Sequence, residues 1–316
     1  MEWYTVEDVE PSEEFGEVPQ NRDPEDLIGK GFIVVDKPFG PTSNQVSSWI
    51  REELNLRKTG HFGTLDPNAT GVLPVGLEKG TRIQKILSDC DKEYVFEASF
   101  ERKVEHEEVR KALKSFRGTN RQVPPEKSAV KQGEREREAH EVELIEQEEE
   151  RILGRVECEA GFYVRVLVDQ LAEKLDTEGE MMELRRTQQG FLEENDTNTI
   201  QEAVDAYHFW KEENDERQLR EVVHPIEDAL VETKKIVVKN SAVNAVANGA
   251  DLRGEGVAKL QDGIEMGERI GIMTAKGELI AIAEAQQTSE KIYEGEGKVA
   301  DLESVHLDPE TYPKRW

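Results

Sequence analysis

Gly60-His-Phe-Gly-Thr-Leu-Asp-Pro-Asn-Ala-Thr-Gly71 decides how the rest of this chain is read. The stretch holds one acid, Asp66, and one histidine, His61, between glycines that interrupt regular structure. Pro67 pushes the backbone of Asp66 away from the helical region and so fixes the direction of its side chain. Leu65, Ala69 and Val72 give that carboxylate apolar neighbours. A carboxylate held rigidly in such a setting can act as nucleophile or proton acceptor. An Asx-type turn cap before proline fits the same residues.

Working outward, Gly31-Phe-Ile-Val-Val-Asp36 is a β-branched run expected as a buried strand. The breaker-rich Lys37-Pro-Phe-Gly-Pro-Thr-Ser43 follows as a loop. Ser43 is expected to cap a helix that places Val46, Trp49, Ile50 and Leu54 on one face. Beyond the opening stretch, Val72–Leu77 reads as a strand, Thr81–Leu87 as a helix and Lys92–Glu101 as an alternating strand. Val109, Leu113 and Phe116 mark an amphipathic helix ended by Gly118, and 121–133 is a basic, proline-containing loop. Strands at 140–146 and 151–159 form a hairpin with a Glu-rich turn, Gly161 leads into a helix through Leu175, and 199–232 is mostly helical. Composition shifts near 233. A small-residue helix Ser241–Ala247 then precedes a hairpin, Glu268–Thr274 with Leu279–Ala285, in a small β domain. Without regular βαβ alternation, the order implies an α+β chain with mixed or antiparallel sheets. Its expected parts are an extended arm at 1–26, pinned by Trp3, Tyr4 and Phe15, a main domain at 27–233 and a small domain at 234–316.

The chain has 316 residues, 68 of them acidic against 41 Lys and Arg, for a net charge of −27. No segment approaches the ~20 apolar residues that cross a bilayer, and Cys90 and Cys158 are too few for a disulfide framework. The opening MEWYTVEDVE has no signal-peptide pattern, so a reducing cytoplasm is expected. Taken alone, −27 argues against a polyanionic partner. The charge is uneven, however. Residues 1–30, 134–160 and 193–233 carry −8, −7 and −10, whereas 31–133 sums to +3. A surface kept free of excess negative charge suits a docked polyanion.

GHFGTLDPNATGVLPV resembles the catalytic-loop signature of the TruB-class RNA pseudouridine synthases. GFIVVDKPFGPTS, KEYVFEASF, QVPPEKSAVKQGEREREAHE, AGFYVRVLVDQLAEKL and ELRRTQQG resemble further motifs of that family, in order. DAYHFWKE and HPIEDAL resemble its archaeal and eukaryotic, dyskerin-like branch, the catalytic subunit of box H/ACA guide-RNA particles. The tail from SAVNAVANGADL onward is similar to a PUA RNA-binding domain. The resemblance therefore implies an α+β pseudouridine synthase domain with mixed or antiparallel sheets, plus a small, β-barrel-like PUA domain.

It also implies isomerisation of uridine to pseudouridine, with no metal and no organic cofactor. Asp66 matches the catalytic aspartate, Arg165 its arginine partner and Tyr94 the active-site tyrosine. The ionised Asp66 is expected in a dry pocket, where only pairing makes its charge tolerable. The base must leave its stack to be reached, and His61 is positioned to occupy or support the vacated space. Lys37 is expected to support the loop, near a phosphate; Leu184 to line the pocket; Arg185 and Arg186, with basic residues of 121–137, to meet backbone phosphates. Phe62, Phe162, Val166, His140 and the Gly254–Gly256 turn depart from the family pattern without touching Asp66, Tyr94 or Arg165.

Three readings follow: a guide-dependent enzyme acting on ribosomal and transfer RNA, with guide RNA, substrate RNA and small H/ACA core proteins as partners and no membrane; a stand-alone tRNA T-loop synthase; and a catalytically silent RNA-binding scaffold. The acidity itself suggests adaptation to high internal salt, where screening weakens surface repulsion. Stability and RNA binding measured from about 0.1 to 3 M KCl should then both improve with salt; best performance at the low end would reject the idea.

Overall fold

A computed structural model describes residues 2–124 and 133–314; most of the basic loop expected at 121–133 lies outside them. The chain divides into two compact units, Ile33–Val75 with Gln84–Asp215, and Met1–Phe32 with Gly76–Ile83 and Glu216–Trp316. Among the described residues no helix is long and apolar enough to cross a membrane.

The unit holding the opening stretch is built on one mixed sheet. Its strand order is Gly31–Lys37, Ala69–Leu77, Gly179–Gln189, Lys92–Phe100, Arg151–Cys158, Arg135–Glu148 and Gly118–Gln122. Ala69–Leu77 and Gly179–Gln189 run parallel, whereas Lys92–Phe100 is antiparallel to both of its neighbours. The expected α+β class with mixed sheets is what forms. Helices His106–Lys114 and Val164–Lys174 cover part of the sheet with Val109, Leu113, Leu167, Val168 and Leu171, all buried against Phe96, Phe100 and Val156. The Glu-rich hairpin forms as expected, with Glu149 at its turn in the left-handed region at φ 50°.

Several boundaries differ from the expectations. Thr81–Leu87 is a 3-10 turn Glu78–Ile83 running into a short helix Gln84–Ser88. The glycine-interrupted stretch around Asp66 is entered through a short strand, Thr59–His61, that pairs with Ala69–Leu77. The helical stretch expected at 199–232 breaks after Ile200–Glu213, where Asn214 turns left-handed, and breaks again after Arg217–Val222. Pro225, which cannot donate to a helix, sits in a two-residue strand against Gly31 and Phe32.

In the other unit a seven-stranded sheet takes up the C-terminal residues and the N-terminal segment alike. Trp3–Thr5 lies antiparallel to Val257–Gln261, at one end of a strand order that reaches Leu252–Arg253 at the other. Tyr4 meets Tyr293 at 5.7 Å between ring centroids, and Phe15 meets Tyr312 at 6.4 Å. Two buried carboxylates tie the segment down. Arg22 forks onto Glu227 through two 2.8 Å bonds. Glu278 accepts the Glu17 amide at 3.0 Å, the Thr274 hydroxyl at 3.0 Å and the Tyr312 hydroxyl at 2.8 Å. Each carboxylate is satisfied at both oxygens, which is what makes its burial tolerable.

One glycine sets the spacing of the two parallel strands. Gly71 lies opposite Arg186 with φ +99°, and a Cβ there would come 2.1 Å from the Arg186 carbonyl oxygen. Gly71→Ala therefore combines a strained backbone with a backbone clash, a loss of about 2–6 kcal/mol. Urea unfolding of this variant should shift to clearly lower denaturant; parental stability would mean that the strands can part here without cost.

Candidate active site

The loop from Gly60 to Gly71 is pinned almost residue by residue. Ala69 donates its amide to the Asp66 carbonyl at 3.0 Å, closing a turn around Pro67. Lys37, fully buried, donates Nζ to the carbonyls of Ala69 at 2.7 Å, Pro38 at 3.0 Å and Pro67 at 3.3 Å. Ser43 does not cap its helix. Thr42 does, in a capping box with Gln45, because Ser43 is already the first helical residue. The Ser43 hydroxyl instead clamps Leu65, donating to its carbonyl at 2.9 Å and accepting its amide at 2.8 Å. Gln189 donates to the carbonyls of Phe62 and Leu87. Arg186 donates Nε to the Val72 carbonyl at 2.7 Å and Nη2 to the Gly63 carbonyl at 3.1 Å.

Asp66 rises from this scaffold with its Oδ2 3.6 Å from Arg165 Nη2. Arg165 lies in the first turn of Val164–Lys174. The start of that helix is held by Gln122, which accepts the Tyr163 amide at 2.9 Å and donates to the Tyr163 carbonyl at 3.0 Å. The expected dry pocket is not present in the protein alone: the side chains of Asp66 and Arg165 are 63% and 47% exposed. Their contact is an open ion pair rather than a buried fork, so water leaves only when something covers it.

Arg186 departs furthest from expectation. It is 1% exposed and cannot reach an RNA phosphate from this position. On the antiparallel pair Lys92–Phe100 and Gly179–Gln189 it lies directly opposite Tyr94, so the two side chains share one face and the guanidinium charge acts on the phenol. Burial pushes the Tyr94 hydroxyl above the usual phenol range, and the adjacent guanidinium opposes that rise without cancelling it. Arg185, next in sequence, points to the other face. It forks onto Asp36 at 2.9 and 3.2 Å and also meets Glu194, so its charge is already matched by two carboxylates and is not free for a phosphate. Strict alternation along ELRRTQQG forbids both arginines from facing one ligand, a signal the sequence carried.

The remaining candidates also have places. Leu184 is opposite Ala69 and packs into the core of its unit. His61 Nε2 is 3.1 Å from Asn44 Oδ1. Burial, reinforced by the charge of Arg186, lowers the His61 imidazole below the usual histidine range, so it is neutral at pH 7. Lys37 supports the loop through carbonyls. With Lys92, whose amine burial brings down to about 8, and Arg186, it forms a set of buried cations. Among the described residues none of the three meets a carboxylate within ion-pair distance. Phe62 and Phe162 are buried, and His140 sits 3.0 Å from Asp91. Gln122, Gln189 and the Leu65 clamp of Ser43 have no signal in the sequence; each acts on backbone groups, which leave no mark in a motif. Basic residues at 125–132 lie outside the described residues.

Comparison with known proteins places this geometry. Residues 51–164 match the TruB family pseudouridylate synthase N-terminal domain, 165–231 the tRNA pseudouridylate synthase B C-terminal domain, 234–305 the PUA domain and 4–47 the DKCLD domain. A "Probable tRNA pseudouridine synthase B" of Methanocaldococcus jannaschii is 45% identical over 98% of this chain and 93% of its own. Its namesake from Archaeoglobus fulgidus is 43% identical over 99% and 97%. Among solved structures, an H/ACA RNP bound to a substrate RNA containing 2'-deoxyuridine matches with a TM-score of 0.93 and 39% identity, over 100% of this chain and 97% of that one. A Cbf5-Nop10-Gar1 complex matches with a TM-score of 0.93 and 41% identity, over 99% and 96%. With relatives this similar along its full length, the chain belongs to the TruB family of pseudouridylate synthases and ends in a PUA domain.

Proposed function

We propose that this chain isomerises uridine to pseudouridine in ribosomal and transfer RNA, in the cytoplasm, as the catalytic subunit of a guide-RNA particle. The observation that carries the reading is the Asp66 carboxylate, set on a fully pinned loop and facing Arg165 at 3.6 Å. The reaction breaks the N1–C1′ bond, turns the base and joins C5 to C1′. One proton moves in the balance, from C5 to N1. Asp66 acts on the sugar, by adding to C1′ or by removing a sugar proton; both roles need the ionised form. Arg165 holds that form and directs it. Tyr94, opposite Arg186 on the neighbouring strand, has a phenol able to carry the travelling proton. His61, neutral and half-buried, supports the space left by the flipped base.

The guide-dependent setting is supported by likeness along the whole chain to proteins solved as H/ACA particles and Cbf5 complexes. In that setting guide RNA selects the target by pairing, and small core proteins complete the particle. The names of the curated relatives favour the second reading, direct action on tRNA. Against the scaffold reading stands the Asp66–Arg165 ion pair at 3.6 Å, with Tyr94 on the same sheet.

Purified protein incubated with unmodified tRNA, and separately with guide RNA, target RNA and the core proteins, should form pseudouridine efficiently only in the second mixture. Equal activity on tRNA alone would make the stand-alone reading the main one. Asp66→Asn should lower turnover by about 10³-fold or more while RNA binding persists; parental turnover would remove Asp66 from the site. Arg165→Lys keeps the charge and loses the planar fork, so it should lower turnover by about tenfold or more with RNA affinity little changed.

A further inference from the structure

We propose that Arg186 is a positioning residue that governs the ionisation and direction of Tyr94. This deepens the reading above and rests on it for its catalytic meaning. Three observations carry it. Arg186 and Tyr94 are register partners on adjacent antiparallel strands, so their side chains rise side by side on one face. Arg186 is fully buried, and among the described residues no carboxylate pairs with it. Its remaining partners are carbonyls, of Val72 and Gly63, which fix the guanidinium from the opposite side.

A guanidinium has donors and no acceptor. A hydrogen bond between these register partners can run only from Arg186 to the phenol oxygen, and forming it would leave the Tyr94 proton free to point into the site. The same contact decides what happens when that proton departs. A buried cation without a carboxylate is costly, and a phenolate at Tyr94 would be its counter-ion. Of the other groups facing Tyr94, Asp66 works against ionisation by its charge, while Cys158 on the neighbouring strand, a buried thiol pushed well above its usual range, stays protonated and uncharged. Arg186 alone of these groups favours it. In the reaction, Tyr94 gives its proton to N1 of the detached ring and becomes phenolate, paired with Arg186. After C5 has joined C1′, the phenolate takes the C5 proton and is restored. The balance is one proton from C5 to N1, with no further reagent.

The ionisation is tested without RNA. The full chain carrying 3,5-difluorotyrosine at position 94, whose phenol ionises near neutral pH, is titrated by fluorine NMR. Arg186→Gln should raise the midpoint by about one pH unit or more, a tenfold change in the ionisation constant; an unchanged midpoint overturns the proposal. Single-turnover rates with assembled RNA give the second readout. Arg186→Gln should slow isomerisation by about 10²-fold with RNA affinity within about threefold, and add less than about threefold in a Tyr94→Phe background. Independent, multiplying losses would overturn it. If Arg186→Gln does not fold, Arg186→Lys keeps a cation beside the same carbonyls and drops the fork. It should cost about tenfold with Tyr94 present and under about threefold with Tyr94→Phe; equal losses in both backgrounds reject the role. A parental protein that makes no pseudouridine on any RNA defeats the proposed function, whereas the fluorine titration judges Arg186 regardless.

Discussion

The buried guanidinium of Arg186 is the constraint on which the site depends. Its Nε and Nη2 bond the carbonyls of Val72 and Gly63, on either side of Asp66 in the chain, and its backbone lies against the glycine that lets two parallel strands close. It reaches Tyr94 across the next strand pair. The Asp66 loop, Tyr94 and the sheet thus meet at one residue. A lysine offers a point charge without that geometry; the planar fork is what lets one side chain serve several directions. Lys37 does the equivalent work from the other side, threading its amine among the carbonyls of Pro38, Pro67 and Ala69. Among the described residues both cations bond carbonyls and pair with no carboxylate, so moving the loop would strip partners from two buried charges.

The difference between Asp66 and its supports also says how the site is divided between protein and ligand. The supports are dry, while the Asp66–Arg165 pair is wet. An exposed pair of this kind contributes at most about 1 kcal/mol to stability, so little folding energy holds it in place. Covering it would strengthen the attraction by lowering the local dielectric. The protein supplies alignment, and a docked nucleic acid would supply the exclusion of water.

How far the sequence was legible follows from which interactions leave local patterns. Alternation predicts the Lys92–Phe100 strand, and the apolar spacing of Val109, Leu113 and Phe116 predicts their helix, since periodicity is itself the physical cause of burial. Asp66, Tyr94 and Arg165 are singled out by motifs in order; the structure pairs Asp66 with Arg165 and sets Tyr94 opposite Arg186 on the sheet. The misreadings have a common origin. Arg185 and Arg186 both read as phosphate contacts because charge is visible in a sequence and the face of a strand is not, until alternation is applied. Ser43 reads as the cap, but Thr42 takes that place, and the Ser43 hydroxyl serves Leu65, 22 residues away in sequence. The N-terminal residues read as an arm, since their partners, Glu227, Glu278 and Tyr293, lie more than 200 residues onward.

The net charge of −27 looks different once placed on the sheet. Much of the acidity at 134–160 belongs to the hairpin Arg135–Glu148 and Arg151–Cys158, and part of it is internally matched. Arg155 Nη1 bonds Glu93 at 2.6 Å, and its Nη2 bonds Glu141 at 2.9 Å and Glu143 at 3.0 Å. Three carboxylates around one cation leave that patch negative, yet Tyr94 and Arg186 are set by alternation on the opposite side from Glu93 and Arg185. A strand pair can therefore present acid on one face and buried cations on the other within a few residues. Net charge sums over both faces, whereas a polyanion meets one at a time. The unpaired positive set of Lys37, Lys92 and Arg186 lies beneath the Asp66 loop, where a −27 total would least suggest it. Its field is shielded from salt by burial, unlike that of the exposed acids. In concentrated salt the surface repulsion would fade and the buried attraction would remain, so acidity of this kind and affinity for RNA need not oppose each other.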